Sequence, residues 1–147
     1  MISFYSLAIL CIISIIKIQR SVLTLLLFFI FGSICCKLLN VFLKNIIAEP
    51  LDPTVFPNRK TNIYANPSGH AQMNAFCIGF LLFLYFNFDQ KSYIILSLFI
   101  SLLIYILCFI TCINNRYHTY GQLFLGTSIG LFLGLFLGLF LRLFIKT

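Results

Sequence analysis

The stretch Tyr120 to Ile145, YGQLFLGTSIGLFLGLFLGLFLRLFI, decides the fold class of this chain. A helix rises about 1.5 Å per residue, so about 20 apolar residues cross a hydrocarbon core near 30 Å thick. The run holds a single charged side chain, Arg142, close to its end. It reads as a membrane-spanning helix. Its GLFL repeat at 130–133, 134–137 and 138–141 follows Gly126, which sets Gly126, Gly130, Gly134 and Gly138 four residues apart along one face. Small residues at that spacing let a second helix backbone approach closely. The stripe therefore predicts a helix–helix contact, within the chain in preference to a second copy.

Four more segments read the same way. They cover Ile2 to Ile16, Ser21 to Ile47, Pro67 to Phe86 and Tyr93 to Cys112. The first is short, and it has neither a basic leader nor a small-residue cleavage site, so it reads as a helix and not as a signal peptide. Composition agrees with this count. Hydrophobic residues make up 61% of the 147 residues and charged ones 9%, far too few charges to cover a water-soluble globule of this size. The expected fold class is all-α, a single integral membrane bundle of about five transmembrane helices over residues 1–147.

The net charge of +7 does not point to nucleic acid. Its lysines and arginines are scattered between apolar runs, most of them near a membrane edge where such side chains meet water and headgroups. Five of the six cysteines (Cys11, Cys35, Cys36, Cys77 and Cys108) fall inside apolar spans and no CxxC occurs, so they read as small core residues.

Only one connection is long. Residues 48–66 hold two of the three carboxylates, Glu49 and Asp52, together with Arg59 and Lys60. Neither carboxylate belongs to an acidic cluster, so both read as loop solvation or salt-bridge partners. When the helices alternate across the membrane, the end of the second, the start of the third, the end of the fourth and the start of the fifth share one side. That side receives Lys44, the run Pro67-Ser68-Gly69-His70, Arg116 and His118, and so both histidines of the protein.

These residue types suit one chemistry. Proline is favoured at a helix start, and the unpaired N–H groups there attract anions. Gly69 lets a ligand approach the backbone, Ser68 offers a hydroxyl, and His70 can exchange a proton near neutral pH. A second imidazole, His118, completes a scheme for hydrolysing a phosphate ester. One histidine attacks phosphorus and the other protonates the departing oxygen, while basic side chains hold the phosphoryl oxygens. No metal or other cofactor is implied, because the carboxylates are too few to build such a site.

The order of Lys44, then PSGH at 67–70, then His118 resembles the type 2 phosphatidic acid phosphatase superfamily of membrane lipid phosphatases, which is grouped with the haloperoxidases. That family's pattern is Lys-x6-Arg-Pro, then Pro-Ser-x-His, then Ser-Arg-x5-His-x3-Asp. KNIIAEP at 44–50 and YHTYGQ at 117–122 are most similar to its dolichyl diphosphatase-like members, and the resemblance runs from 44 to 126. It implies a metal-independent hydrolase acting on a polyisoprenyl diphosphate or a lipid phosphate monoester through a phosphohistidine. His118 would be the nucleophile and His70 the acid. Lys44, Ser68 and Gly69 would bind phosphate, and Gln122 would orient His118 where the family more often has aspartate.

Two positions depart from the pattern. Leu51 and Cys112 stand where the family has arginines, and Asp52 and Thr111 flank them in place of proline and serine. Losing one donor aimed at a developing oxyanion costs roughly 3–4 kcal/mol. Arg116 and Arg59 lie near enough in sequence to be candidate replacements. The other reading is an inactive relative that binds lipid phosphate or serves as a structural membrane protein. The expected partners are the membrane and a lipid phosphate or diphosphate, with no nucleic acid. Basic residues lean towards the opposite side (Lys17, Arg20, Lys91, Arg142 and Lys146), which makes the active face lumenal or extracytoplasmic.

Overall fold

The computed structural model describes residues 4–18, 22–50, 64–89 and 91–143. Among these residues five helices follow one another: α1 (Phe4–Ile18), α2 (Val22–Ile47), α3 (Gly69–Asn87), α4 (Lys91–Asn114) and α5 (Tyr120–Leu141). The all-α class stands, and the helix boundaries fall within a few residues of the sequence reading. Four helices, α2 to α5, are long and apolar enough to cross a membrane. The 15 residues of α1 are apolar but shorter than a full span.

α3 is the axis of the bundle and packs against each of the other four helices. Its burial explains its composition. Phe76, Phe80, Leu81 and Leu84 are wholly enclosed, with Phe29 of α2 stacked on Phe76 at 5.9 Å between ring centroids. The outer helices instead turn Leu, Ile and Phe outwards, as at Leu27, Phe31, Leu96, Phe99, Phe132 and Phe136. In water such a surface would aggregate, whereas against acyl chains it costs nothing.

The glycine stripe of α5 meets α3 of the same chain. Gly126, Gly130, Gly134 and Gly138 are all buried in this seam. A Cβ on Gly126 would fall 2.5 Å from the Ser68 carbonyl oxygen, and one on Gly134 would fall 2.3 Å from that of Phe76. Neither separation is possible for carbon against backbone oxygen. Four side-chain-free positions therefore set how close the two backbones lie, and they carry the start of α3 onto the start of α5. The six cysteines are free thiols.

A short clamp closes the long connection. The Ala65 N–H donates to the Glu49 carbonyl at 2.8 Å, and Pro50 pairs with Tyr64 in a single antiparallel bridge. Residues 49 and 66 are thereby held together beside the start of α3. At the other turn, the chain leaves α4 through Arg116 in the left-handed region (φ 53°), with the Tyr117 N–H returning to the Cys112 carbonyl at 2.9 Å.

Candidate active site

The helix ends that share one side of the bundle meet around Ser68. This residue, not Pro67, starts α3. Its hydroxyl accepts from the Ala71 N–H at 3.4 Å as an N-cap, so Gly69 takes the first helical position that the sequence reading gave to proline. Ser68 is fully buried, and its own N–H donates to the Gln122 carbonyl at 3.1 Å. The first N–H groups of α3, those of Gly69 and His70, have no acceptor among the described residues and point out of the helix end.

His70 and His118 face each other across this opening. Their ring centroids are 6.5 Å apart and their planes are inclined by 57°. Reacting atoms in a productive complex sit about 3–3.5 Å apart. Two rings at that centroid separation both lie within reach of one phosphoryl group bound beside them. The Lys44 ammonium, on the last turn of α2, interacts electrostatically with both rings. Lys37, two turns earlier on α2, acts on Lys44 and His70 in the same way.

His118 is half-buried, and its surroundings keep it neutral. Burial is the main cause holding its pKa below the ordinary imidazole value of 6.5; a hydrogen bond to Gln122 opposes this, and the charges of Lys44 and His70 add to it. Its Nδ1 lies 3.2 Å from the Gln122 Oε1. The same oxygen accepts from the Thr119 N–H at 3.1 Å, while the Thr119 hydroxyl accepts from the Gln122 N–H at 3.3 Å. This reciprocal capping box opens α5 and fixes the Gln122 side chain beside the imidazole.

The far side of that amide corrects the reading of Glu49. Gln122 Nε2 donates to the Glu49 Oε1 at 2.6 Å, and Asn66 Nδ2 donates to the Glu49 Oε2 at 2.8 Å. Among the described residues Glu49 makes no ion pair, and both of its oxygens accept from side-chain amides. It is half-buried and engaged at both oxygens, because the clamp at residues 49 and 65 brings it under the start of α5. Asp52 lies outside the described residues.

A second polar group supports the PSGH run from below. Asn40 of α2 is buried and donates through Nδ2 to the Pro67 carbonyl at 3.2 Å and to the Gln72 Oε1 at 2.8 Å. Gln72 Nε2 returns to the Cys36 carbonyl at 3.0 Å. Asn40, Gln72, Asn66 and Glu49 were all missed as site residues. Their only signal in the sequence is that they are polar residues in or beside apolar spans, which are costly there unless partnered.

The candidate replacement arginines are placed unequally. Arg116 is exposed on the turn that carries His118, and its side chain makes no hydrogen bond or ion pair among the described residues. Arg59 lies outside the described residues, as does Leu51. Cys112 is buried against Ala71 and Leu123, so the position of the second family arginine faces the first turn of α3 but is filled by a small thiol.

A bundle of apolar helices with two histidines, a lysine and a helix N-terminus at one end defines a class: membrane-embedded proteins that handle a phosphorylated ligand at the bilayer edge. The family is more specific. The chain belongs to the PAP2 superfamily, whose sequence profile matches residues 22–145. Members of that superfamily are generally membrane phosphatases acting on lipid phosphates. No curated protein and no solved structure matches the chain.

Proposed function

We propose that this protein is a metal-independent membrane phosphatase that hydrolyses a polyisoprenyl diphosphate or a lipid phosphate monoester through a phosphohistidine. The reading is carried by one observation: His70 and His118 face each other at 6.5 Å, at the PSGH and YHTYGQ positions, beside Lys44. In the first step the Nε2 of neutral His118 attacks phosphorus. The bond from phosphorus to the departing oxygen breaks, and protonated His70 delivers its proton to that oxygen. In the second step neutral His70 takes a proton from water, the hydroxide attacks phosphorus, and the bond to Nε2 breaks. His70 is protonated again and inorganic phosphate leaves.

Lys44 and the N–H groups of Gly69 and His70 hold the phosphoryl oxygens as charge moves among them. Ser68 fixes that helix end as its cap, and its hydroxyl hydrogen, unused by the cap, is the one it would give to phosphate. Arg116 stands in for the arginine missing at Cys112, with Arg59 the other candidate. The lipid chain lies along the apolar outer faces of the helices. The KNIIAEP and YHTYGQ stretches favour a dolichyl diphosphatase-like substrate. The site faces away from the cytoplasm, since the opposite end carries Lys17 and Lys91, each set over a tyrosine ring (Tyr93 and Tyr85).

The test is phosphate release by purified full-length protein in detergent with EDTA present, supplied with dolichyl diphosphate, phosphatidate or lysophosphatidate. Release from at least one lipid, abolished by His118→Ala and by His70→Ala, is the expected result. No release from any of the three, with His118→Ala indistinguishable from the parent, would reject the enzyme. Binding of the same lipids without release would identify a lipid-phosphate receptor instead.

A further inference from the structure

Among the described residues no carboxylate contacts the imidazole of His118, yet one of the three carboxylates of the whole chain ends a hydrogen-bonded path to it. The path runs from Asn66 Nδ2 to Glu49, from Gln122 Nε2 to Glu49, and across the Gln122 amide to His118 Nδ1. Its direction can be derived from what each group is able to offer. An ionised carboxylate only accepts, and a backbone N–H only donates. Glu49 therefore requires the NH2 end of Gln122 on its side, and the Thr119 N–H requires the oxygen end on the other. Two independent partners agree on one amide orientation. The atom presented to His118 Nδ1 is then an acceptor, which only a protonated Nδ1 satisfies. That leaves the lone pair on Nε2, the nitrogen that has to attack.

We propose that Glu49 is a positioning residue for His118, acting through Gln122: it locks the amide that selects the nucleophilic tautomer, and it supplies, one residue removed, the counter-charge for the cationic imidazole. The catalytic meaning of this relay rests on the phosphatase reading, while the tautomer lock itself does not. A neutral amide alone orients an imidazole but does little for its positive charge. Backed by a carboxylate at 2.6 Å, its dipole is held in the stabilising direction. Glu49 also ties the two halves of the site together, since Asn66 on its other oxygen precedes the PSGH run by one residue.

Among the described residues, the titratable and charged groups around His118 are Lys44 on α2, His70 on α3, Arg116 and Tyr117 on its own turn and, through Gln122, Glu49. The protein contains two histidines, so 15N-histidine labelling of the full chain in detergent gives two imidazole spin systems, which His70→Gln assigns. The expected spectrum shows His118 as the Nδ1–H tautomer. Glu49→Gln is expected to mix the tautomers, lower the apparent pKa of His118, and reduce kcat about 10- to 100-fold with KM within about twofold.

The decisive variant exchanges the two groups. Glu49→Gln combined with Gln122→Glu keeps every hydrogen-bonding partner and moves the carboxylate next to the imidazole. It is expected to restore the single tautomer and to recover at least tenfold in kcat over Glu49→Gln alone. Gln122→Glu by itself sets two carboxylates against each other and is expected to be worse than the exchange. An Nε2–H tautomer in the parent overturns the proposal, and that reading needs no variant to fold. A spectrum and pKa unchanged in Glu49→Gln, even with lowered stability, also overturns it. If the tautomer responds as expected but the parent releases no phosphate from any lipid, the relay stands and the phosphatase reading fails.

Discussion

A Cβ on Gly130 would lie within van der Waals overlap of the carbonyl oxygen of Gln72, so the backbone of α5 touches that of α3 one turn into α3, directly behind the site. The same Gln72 holds Asn40 and, through it, the Pro67 carbonyl. Packing of the glycine stripe and placement of the PSGH run are therefore one event.

Gly130→Ala is expected to destabilise the protein by about 1–3 kcal/mol or more, since the methyl group meets the α3 backbone at Gln72, which cannot yield without moving the helix. Gly121→Ala is the control, because among the described residues a Cβ there meets nothing closer than the Thr119 hydroxyl at 3.9 Å. Thermal loss of the monodisperse species in detergent, followed by size exclusion, measures both. Equal melting of the two variants would show that the seam is looser than the structure has it.

Asn40→Ala removes the donor to the Pro67 carbonyl and leaves the Gln72 oxygen unpaired in the bundle interior. A buried group left without its partner costs roughly 1–3 kcal/mol. Stability is expected to fall by that amount, and phosphate release to fall with it, because His70 rides on the helix whose start the Asn40 contact anchors. Retained stability with retained turnover would show that the PSGH run needs no support from α2.

The apolar spans made the helices legible, and alternation across the membrane was enough to bring Lys44, His70 and His118 together. The stripe of four glycines pointed correctly to a close contact within the chain. Glu49 was not legible, because its partner Gln122 is 73 residues away and nothing in local composition distinguishes a solvated loop carboxylate from one docked beneath a helix start. A signal did exist. Gln122 occupies a position where the resembled family more often has aspartate, and a chain with three carboxylates had one just after Lys44. The sequence reading starts α3 at Pro67, two residues before its first helical residue Gly69, because proline and serine both favour helix starts, and only the hydroxyl contact to Ala71 decides between them.

The pH dependence follows from the direction of the His118 shift. Protonation removes the lone pair that attacks, and burial with the Lys44 and His70 charges disfavours the protonated form. The acid limb of kcat/KM assigned to His118 is thus expected below about 6.5, the ordinary imidazole value. Lys44→Met removes one repelling charge, so this limb should move up in pH while KM rises. Gln122→Leu removes the hydrogen bond that favours the protonated form, so the limb should move down. Comparing variants on one substrate cancels the titration of the substrate itself. A limb that moves down in Lys44→Met would contradict the assignment.

Arg116 permits a clean separation of backbone from charge. Its φ of 53° is costly for any residue but glycine, by about 1 kcal/mol. Arg116→Gly is therefore expected to leave stability unchanged or slightly raised. If the guanidinium grips phosphate in place of the arginine absent at Cys112, kcat/KM should fall roughly 100-fold in the same variant. Arg59→Ala, assayed beside it, shows which of the two serves. Full turnover in both variants would mean that Lys44 and the α3 N-terminus suffice.

The most direct test of the central claim is chemical trapping of the phosphorylated enzyme. Full-length protein in detergent with EDTA is mixed with 32P-labelled dolichyl diphosphate or phosphatidate, quenched in alkali within the first turnover, and split into acid-treated and untreated portions. A phosphohistidine survives alkali and is lost in acid. Label with that lability is expected on the protein in the parent and absent in His118→Ala. Phosphate release with no labelled protein at any time, or label that persists in His118→Ala, would contradict the claim.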